Sequence, residues 1–264
     1  MHRRWFCFLL CLGLTLPGLA LAGELRVCMS DVPHAPWRLA DADGRVRERG
    51  LDFWLLRQFA QRSGWTFKVQ HRSGKRCLQD LASGSSDAAV GMSFLPQRES
   101  QMRFPMKEGK PDESLALRVD SYSWFVPRGQ PVAWDGQQLK VPAQAVVAAQ
   151  SGHSIVSVLT QQGYRVDDSS RSVLQTLEKV GRGQVAAAAL PTSEGDRELR
   201  SNVLWSRKWV RLDPPVSVRA YYLVFSHAFA SRHEQALPTL WRQFFELTHG
   251  PAYQQAYLEA ILTP

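Results

Sequence analysis

Residues 87–105 of the chain, DAAVGMSFLPQRESQMRFP, predict a strand followed by a turn that could bind an anion. The apolar run Ala88–Val90 is typical of a buried strand, and Gly91 allows the backbone to approach a neighbour closely. Ser93 then offers a hydroxyl, and Arg98 follows a proline at the expected start of a helix, where a guanidinium can hold an anion. Arg98 could equally be a solvated surface residue, because exposed charges usually contribute little. The stretch alone leaves both interpretations open.

The first 22 residues of this 264-residue chain have the three parts of a secretory signal peptide. Arg3 and Arg4 precede an apolar block at 5–16, and Ala20-Leu21-Ala22 has the small-x-small pattern of a cleavage site. The apolar block is too short to anchor the chain, and no later segment reaches the length of a transmembrane helix. We therefore expect cleavage after Ala22 and a soluble periplasmic protein that starts near Gly23.

Charge and cysteine content restrict the partners that the chain can have. The formal charge is +8, and removal of Arg3 and Arg4 with the signal peptide leaves +6. The basic residues are scattered, which favours an anionic ligand over nucleic acid for an exported protein. Two cysteines, Cys28 and Cys77, remain after processing, and in an exported chain they predict a disulfide that stabilises the fold by about 4 kcal/mol. No spacing typical of a metal site is present, so no metal or cofactor is expected.

Strands and helices alternate in two successive units, which indicates an α/β fold with parallel strands. The first unit has predicted strands at 24–29, 65–70 and 87–92, and predicted helices at 53–62, capped by Asp52, and at 76–82. The second unit has predicted strands at 141–149, 164–166 and 185–190, and predicted helices at 154–162 and 171–182. Further strands are predicted at 122–126 and 216–225, a charged surface loop at 106–113, and C-terminal helices at 234–247 and 252–262.

Short motifs along both units carry a family resemblance. In order they are Leu25-Arg-Val27, Pro36-Trp37, Gly50-Leu-Asp52, Leu81-Ala-Ser-Gly84 with Asp87, Gly91-Met-Ser93, Pro96-Gln-Arg98, Phe104-Pro105, Ser151-Gly152, Gly183 and Tyr221-Tyr-Leu-Val224. Each motif is weak alone, but their order and spacing over the whole mature chain resemble extracellular solute-binding proteins of family 3, the periplasmic amino-acid-binding class. Arg26-Val-Cys28 and Lys75-Arg-Cys-Leu78 resemble a divergent, cysteine-containing branch of that family, which supports the Cys28–Cys77 pairing.

The resemblance implies a type II periplasmic-binding-protein fold, an α/β fold in which two lobes are joined by two crossovers. Lobe one is expected at 23–119 plus 226–264, and lobe two at 120–225. The implied protein is a monomer and not an enzyme; it binds a small ligand between the lobes and serves the membrane permease of an ABC transporter. Hinge closure would add the contacts of the second lobe only when a ligand is bound.

The resemblance also assigns residues to the ligand site. Ser93 and Arg98 occupy the positions that hold the α-carboxylate of an amino acid, and a bidentate guanidinium suits that group. Gly91 matches a position whose backbone contacts the ligand. Ser151 and Gly152 match the turn in the second lobe whose amides close on the same carboxylate.

Three more side chains complete the predicted ligand-binding set, namely His34 and Trp37 in the first loop and His153 in the second unit. His34 stands where the family has an aromatic side chain against the ligand. Gly74 stands near the position of a second aromatic side chain, so that stacking surface is missing here.

The family's acid for the ligand's amine falls at Leu190 or Pro191, where this chain has no carboxylate. The nearest acids are Glu194 and Asp196. A buried ammonium without a partner costs several kcal/mol, so an ordinary α-amino acid is not expected. We predict an anionic, carboxylate-bearing and amino-acid-like ligand that lacks a free amine, or no tight small ligand.

Two other functions remain open at this point. A periplasmic sensor or accessory protein that acts in trans would also fit the missing amine site. The fold occasionally hosts lyase or dehydratase chemistry, for which the acid–base candidates are His34, His71 and His153 with Asp31 or Glu194. No nucleophile–base motif supports an enzyme, so no catalytic residue is predicted.

Overall fold

The structure is a computed structural model that describes residues 23–201 and 203–262. The predicted signal peptide lies outside the described residues. The strands are β1 (Glu24–Ser30), β2 (Thr66–Arg72), β3 (Ala88–Ser93), β4 (Met106–Lys107), β5 (Lys110–Pro111), β6 (Arg118–Pro127), β7 (Ala133–Trp134), β8 (Leu139–Lys140), β9 (Val146–Gln150), β10 (Arg165–Ser170), β11 (Ala187–Pro191) and β12 (Trp209–Phe225). The helices are α1 (Leu51–Ser63), α2 (Gly74–Ser83), α3 (Ser154–Gln161), α4 (Val173–Gly181), α5 (Thr192–Ser201), α6 (Val203–Lys208), α7 (His227–Arg232), α8 (Leu237–His249) and α9 (Pro251–Leu262).

Eight of these strands form one sheet in the order β10-β9-β11-β6-β12-β3-β1-β2. In the first unit β1 pairs in parallel with β2 and β3, and in the second unit β9 pairs in parallel with β10 and β11. Between them β6 and β12 run antiparallel to their neighbours and to each other. The predicted α/β class is therefore confirmed, and β6 and β12 form the two crossovers that the resemblance implies.

Local sequence sets the start and end of the helices in the first unit. Helix α1 begins after Gly50, whose φ of 102° favours glycine, and ends at Gly64 in the left-handed conformation. Ser73 caps α2 by accepting the backbone N–H of Arg76. The predicted capping role of Asp52 is wrong, because Asp52 lies inside the first turn of α1 and is only 1% exposed. Its carboxylate points into the protein, where two cations hold it.

The strand β12 is longer than predicted and belongs to both units. Its first part pairs with β6 from Trp209 onward, and its last part pairs with β3 as far as Phe225. The ladder with β6 shifts register between Leu212 and Ser217, around Pro214, which has no N–H to donate. The prolines made the sequence look interrupted here, so the predicted strand at 216–225 covers only the second part.

The hydrophobic core is also divided between the two units. One cluster joins β1 and α1 to the C-terminal helix α8 and includes Phe59, Phe225 and Phe244. Another joins β6, β9 and α3 and includes Trp124 and Leu159. The helices α8 and α9 return from the end of the chain to pack on α1. Each unit therefore has its own packed interior, and the space between them is free to form a site.

Some segments differ from the sequence-based expectation. Residues 106–113, expected to be a loop, contain a small hairpin in which β4 pairs with β5. Residues 192–201 and 203–208 form α5 and α6, which were not predicted because α5 is mostly polar and gives little apolar periodicity. Among the described residues, no helix combines the length and apolar character needed to cross a bilayer.

Candidate functional site

A cavity of about 440 Å³ lies between the two units, at the carboxyl ends of their parallel strands. Its volume falls within the roughly 300–1,000 Å³ typical of small-molecule sites, and strand ends are where open α/β sheets bind ligands. Asp168 is the one acidic side chain among its described lining residues. Its cationic lining residues are Arg38, Lys75, Arg98, Arg118 and Arg171.

Arg98 is buried in the wall of this cavity, with 7% of its surface exposed. Its Nη1 donates to the carbonyl and hydroxyl oxygens of Ser93, at 2.9 and 3.3 Å, and its Nη2 donates to the carbonyl of Gly152 at 3.0 Å. A guanidinium has five N–H donors, so two of those on Arg98 have no hydrogen-bond partner among the described residues. No carboxylate of the described residues forms an ion pair with it. Burial lowers the pKa of Arg98, but an arginine remains charged in proteins.

The same contacts hold the two units together across the cavity. The hydroxyl of Ser93 donates to Ser154, the first residue of α3, at 2.9 Å. Close approach depends on two glycines. A Cβ at Gly152 would lie 3.0 Å from the carbonyl carbon of Gly74, and a Cβ at Gly74 would lie 3.2 Å from the carbonyl oxygen of Ser151. The absence of an aromatic side chain at Gly74 therefore leaves room for the turn at Ser151 and Gly152.

Asp52 is held by two arginines at the side of the cavity formed by the first unit. Its Oδ2 accepts from Arg38 Nη1 at 3.0 Å, and its Oδ1 accepts from Arg118 Nη1 at 2.7 Å. Burial lowers the pKa of both guanidiniums, and the charge of Asp52 opposes this; for Arg118 the net effect is a raised pKa. Two buried cations thus share one carboxylate, which leaves one positive charge without a counter-charge.

Arg118 covers the ring of Trp37 and fills the space beside Gly91. Its Cζ lies 4.4 Å from the ring centroid of Trp37 and 5.7 Å from that of Tyr221. Gly91 has φ of 76°, and a Cβ there would overlap Arg118 Nη2. Trp37, predicted as a ligand contact, is 4% exposed and lies behind Arg118, away from the lining of the cavity. A cation therefore occupies the position next to Gly91 that the sequence assigns to the ligand.

His34 and Glu194 face each other between the two units. Arg38 Nη2 lies 3.1 Å from His34 Nδ1, so Nδ1 accepts and we assign the ring proton to Nε2. Nε2 is 3.6 Å from Glu194 Oε1. Burial raises the pKa of Glu194 to about 8, against the opposing charge of Arg38. Burial, followed by the charges of Arg38 and Arg118, lowers the pKa of His34 well below its usual value. Near neutral pH both groups are therefore largely uncharged.

His153 belongs to a second uncharged cluster in the wall. Its Nδ1 lies 3.2 Å from Tyr122 Oη, and Tyr221 Oη donates to Tyr122 Oη at 3.4 Å. Burial, then the charges of Arg38 and Arg98, lower the pKa of His153 to about 3. Burial raises the pKa of both tyrosines. These rings give the cavity neutral hydrogen-bonding groups between its cations.

Two ion pairs join the units at the mouth of the cavity. Lys75 Nζ lies 2.8 Å from Asp168, and Arg171 Nη2 lies 2.5 Å from Asp31. Side chains of these four residues are between 34% and 58% exposed, so each pair contributes little to stability. They nevertheless neutralise the two cations at the mouth, which leaves the unbalanced charge at Arg98 and at the Asp52 cluster.

Seven of the eight predicted ligand-binding residues line one cavity. They are His34, Gly91, Ser93, Arg98, Ser151, Gly152 and His153. Leu190 is fully buried in the core of the second unit and offers no polar group. His71 packs on Phe53 at 6.0 Å and is not among the lining residues, and Asp196 pairs with Arg211 at 2.6 Å.

The sequence did not reveal Arg38, Arg118, Tyr122 or Tyr221 as lining residues. Arg118 pairs with Asp52 across 66 positions of the chain, and no local pattern links two residues so far apart. The predicted disulfide is confirmed: Cys28 and Cys77, with Cα atoms 5.6 Å apart, join β1 to α2 and line the cavity. Within the ranges 23–201 and 203–262, no group of His, Cys, Asp and Glu residues could hold a metal ion.

Neither a family model nor a curated protein sequence matches the chain. Solved structures match it over most of its length. An arginine-binding protein from T. maritima has a TM-score of 0.68 at 16% identity, with 91% of this chain and 96% of that chain covered. A periplasmic binding protein from Salmonella typhimurium with high arginine specificity has a TM-score of 0.68 at 14% identity, with 90% and 99% covered.

A histidine kinase sensor domain with similarity to periplasmic binding proteins matches equally well. Its TM-score is 0.70 at 17% identity, with 90% of this chain and 96% of that chain covered. These likenesses confirm the predicted type II periplasmic-binding-protein fold. The fold hosts both transport and sensing proteins, so the function of this chain has to be argued from its cavity.

Proposed function

We propose that the chain is a periplasmic solute-binding protein that captures a small carboxylate-bearing ligand between its lobes for an ABC-type transporter. The observation that carries the proposal is the state of Arg98, which is buried, faces the cavity and has two unused donors. A buried charge without a partner is unfavourable, so an anion from solution is its natural counter-charge. The two oxygens of a carboxylate match two N–H donors of a guanidinium.

The charges around the cavity support a ligand without a free amine. An ammonium group would need an acidic acceptor, and Leu190 stands where the family places one. Asp168 lines the cavity but is already paired with Lys75 at 2.8 Å. Glu194 has its pKa raised by burial to about 8 and is largely protonated at neutral pH. An amine in this cavity would therefore meet cations and neutral groups.

Capture would proceed by hinge closure. We take lobe one as 23–119 plus 226–264 and lobe two as 120–225, joined by β6 and β12, and the division of the hydrophobic core supports these bounds. Ser93 and Arg98 belong to lobe one, whereas Gly152 and Ser154 belong to lobe two. A ligand on Arg98 would add to the contacts that already cross the cleft, and would therefore favour the closed form that a permease recognises.

Export is part of the proposal. The signal peptide predicted at 1–22 and the Cys28–Cys77 disulfide both suit export to the oxidising periplasm. Expression of the full chain should yield a periplasmic product that begins at Gly23, which N-terminal sequencing would test. A product that remains in the cytoplasm with its first residues intact would contradict this localisation.

Isothermal titration of the protein purified from the periplasm tests the ligand class. We expect short carboxylic acids to bind, and Arg98→Gln to weaken binding by about 30-fold to 1,000-fold, because it removes a buried charged donor. Arg98→Lys should retain part of the affinity, since it keeps the charge but loses the paired donors. Arg45→Gln removes the same charge from a side chain that is 78% exposed, and serves as the control. Tight binding of an amino acid that survives Arg98→Gln would contradict the proposal.

A sensor or accessory protein that acts in trans is the second candidate, and the similarity to a histidine kinase sensor domain favours it. The two roles differ in the partner of the ligand-loaded protein. A transport protein should stimulate ATP hydrolysis by its permease–ATPase complex in proteoliposomes, whereas an accessory protein should not. Lyase chemistry is not proposed, because a pKa of about 3 makes His153 a weak base and His34 is similarly suppressed.

A further inference from the structure

The charge around Asp52 is unbalanced in a way that Arg98 does not explain. Arg38 and Arg118 both donate to Asp52, at 3.0 and 2.7 Å, so one carboxylate serves two guanidiniums. Their side chains are only 11% and 10% exposed, so solvent screens the remaining positive charge poorly. A second anion beside this cluster would be strongly favoured.

Neighbouring groups do not supply that anion. Glu194 has its Oε1 3.6 Å from His34 Nε2, beyond hydrogen-bond distance, and its Oε2 is buried without a partner among the described residues. Arg38 reaches His34 Nδ1 at 3.1 Å, where it meets an uncharged ring. Arg38 Nε is also buried without a partner. The cluster therefore keeps both a surplus charge and an unused donor.

The cluster also faces the same cavity as Arg98. Arg38 and Arg118 both line it, and Arg118 Nη2 lies directly over Gly91, where any side chain would overlap it. The ring contacts with Trp37 and Tyr221 fix the orientation of the Arg118 guanidinium. Two separate cationic positions therefore open into a single small cavity.

We propose that the ligand carries two acidic groups, one on Arg98 and one on the Arg38–Asp52–Arg118 cluster, and that its class is a short aliphatic dicarboxylate. This inference rests on the proposed function and names the ligand class of the same cavity. A carboxylate suits the second position because it accepts from planar guanidiniums in the way that Asp52 already does. An amino acid places an ammonium where Arg118 would repel it, and a monocarboxylate leaves the second charge unbalanced.

Matched ligand pairs test the inference on the unaltered protein. Succinate and glutarate are compared by isothermal titration with their own monoamides, which keep the size and remove one charge. Each dicarboxylate should bind about 10-fold to 100-fold more tightly than its monoamide, the usual worth of a hydrogen bond to a charged group. Arg118→Gln and Arg38→Gln should each abolish this preference, because each removes a guanidinium of the position that would hold the second acidic group. Arg45→Gln should preserve it.

The outcomes separate this inference from the proposed function. If dicarboxylates and monoamides bind equally, and Arg98→Gln weakens both, the second acidic group is refuted and the carboxylate site at Arg98 stands. If no carboxylic acid binds, both are refuted. Tighter binding of glutamate than of glutarate, or of inorganic phosphate than of either dicarboxylate, would overturn the ligand class. Thermal melts of each variant show whether a loss of binding reflects unfolding. The comparison of ligand pairs on the unaltered protein does not depend on the folding of any variant.

Discussion

Glu194→Gln should remove a dependence of stability on pH that the fold creates at the interface between the lobes. Glu194 is 7% exposed, and burial raises its pKa to about 8. A raised pKa means that the folded protein takes up a proton that the unfolded chain lacks. The stabilisation is therefore complete below the unfolded value near 4.5 and is lost as the pH rises through 8. Glutamine imitates the protonated form at every pH.

The size of the effect follows from linkage. For Glu194 the difference of one proton changes the free energy of unfolding by about 1.4 kcal/mol per pH unit near pH 6.5 and by half as much near pH 8, or about 1.6 kcal/mol over this window. Burial, together with nearby arginines, lowers the pKa of His34 and of His153, the latter to about 3. A lowered histidine pKa stabilises the folded protein above about pH 6.5, and this stabilisation is lost as the pH falls. Below pH 6.5 the stability lost at the two histidines exceeds the stability gained at Glu194, so the free energy of unfolding should be greatest near pH 6.5.

Guanidinium denaturation between pH 5 and 8.5, extrapolated to water, measures this dependence. The unaltered protein should lose about 1 kcal/mol from pH 6.5 to 8, because the two histidines offset part of the loss at Glu194, and Glu194→Gln should gain about 1 kcal/mol over that window. Glu24→Gln, at an exposed position of β1, is the control and should follow the unaltered protein. Equal pH slopes for the unaltered protein and Glu194→Gln would refute the assignment of the proton to Glu194.

Two further predictions concern stability. The double variant Cys28→Ser, Cys77→Ser should lose about 4 kcal/mol of unfolding free energy, because it releases a loop closed across 49 positions. Chemical denaturation measures this loss, and a value below about 1 kcal/mol would contradict a stabilising disulfide. Gly44→Ala should lower the free energy of unfolding by about 1–2 kcal/mol, because its φ of 76° is unfavourable for alanine and its Cβ would face open space. Gly91→Ala has the same φ but should lose about 3 kcal/mol more, because its Cβ would overlap Arg118 Nη2. Equal melting temperatures for the two glycine variants would contradict the close contact with Arg118.

The sequence predicts most of the fold because glycines and prolines mark the ends of regular elements. Gly64 ends α1 and Ser73 starts α2 close to where the pattern places them. The sequence pattern fails where a contact between distant residues determines the local structure. Asp52 looks like a helix cap, but the two buried arginines draw it inward. In β12 the strand continues past Pro214 because β6 pairs with it on both sides of the proline, from Trp209 to Leu212 and again from Ser217 to Tyr221.

For the cavity, local spacing was informative and long-range pairing was not. Ser93 and Arg98 are five positions apart, and their contact follows from the strand-to-helix turn that carries them. The approach of Glu194 to His34 depends on where α5 lies in the fold, and a sequence without apolar periodicity in α5 gives no sign of it. Arg118 was missed because it precedes the predicted strand at 122–126 and its partner Asp52 is 66 positions away in the chain.

A crystal structure of the protein with the most tightly binding carboxylic acid tests the central claim most directly. The account predicts a carboxylate in the cavity, with its two oxygens about 2.7–2.9 Å from guanidinium nitrogens of Arg98 and its other end toward Arg118. Ser93 and Gly152 should remain in contact with Arg98 across the closed cleft. A ligand bound outside the cavity, or bound inside it with an amine at Arg118 and no oxygen on Arg98, would contradict the account.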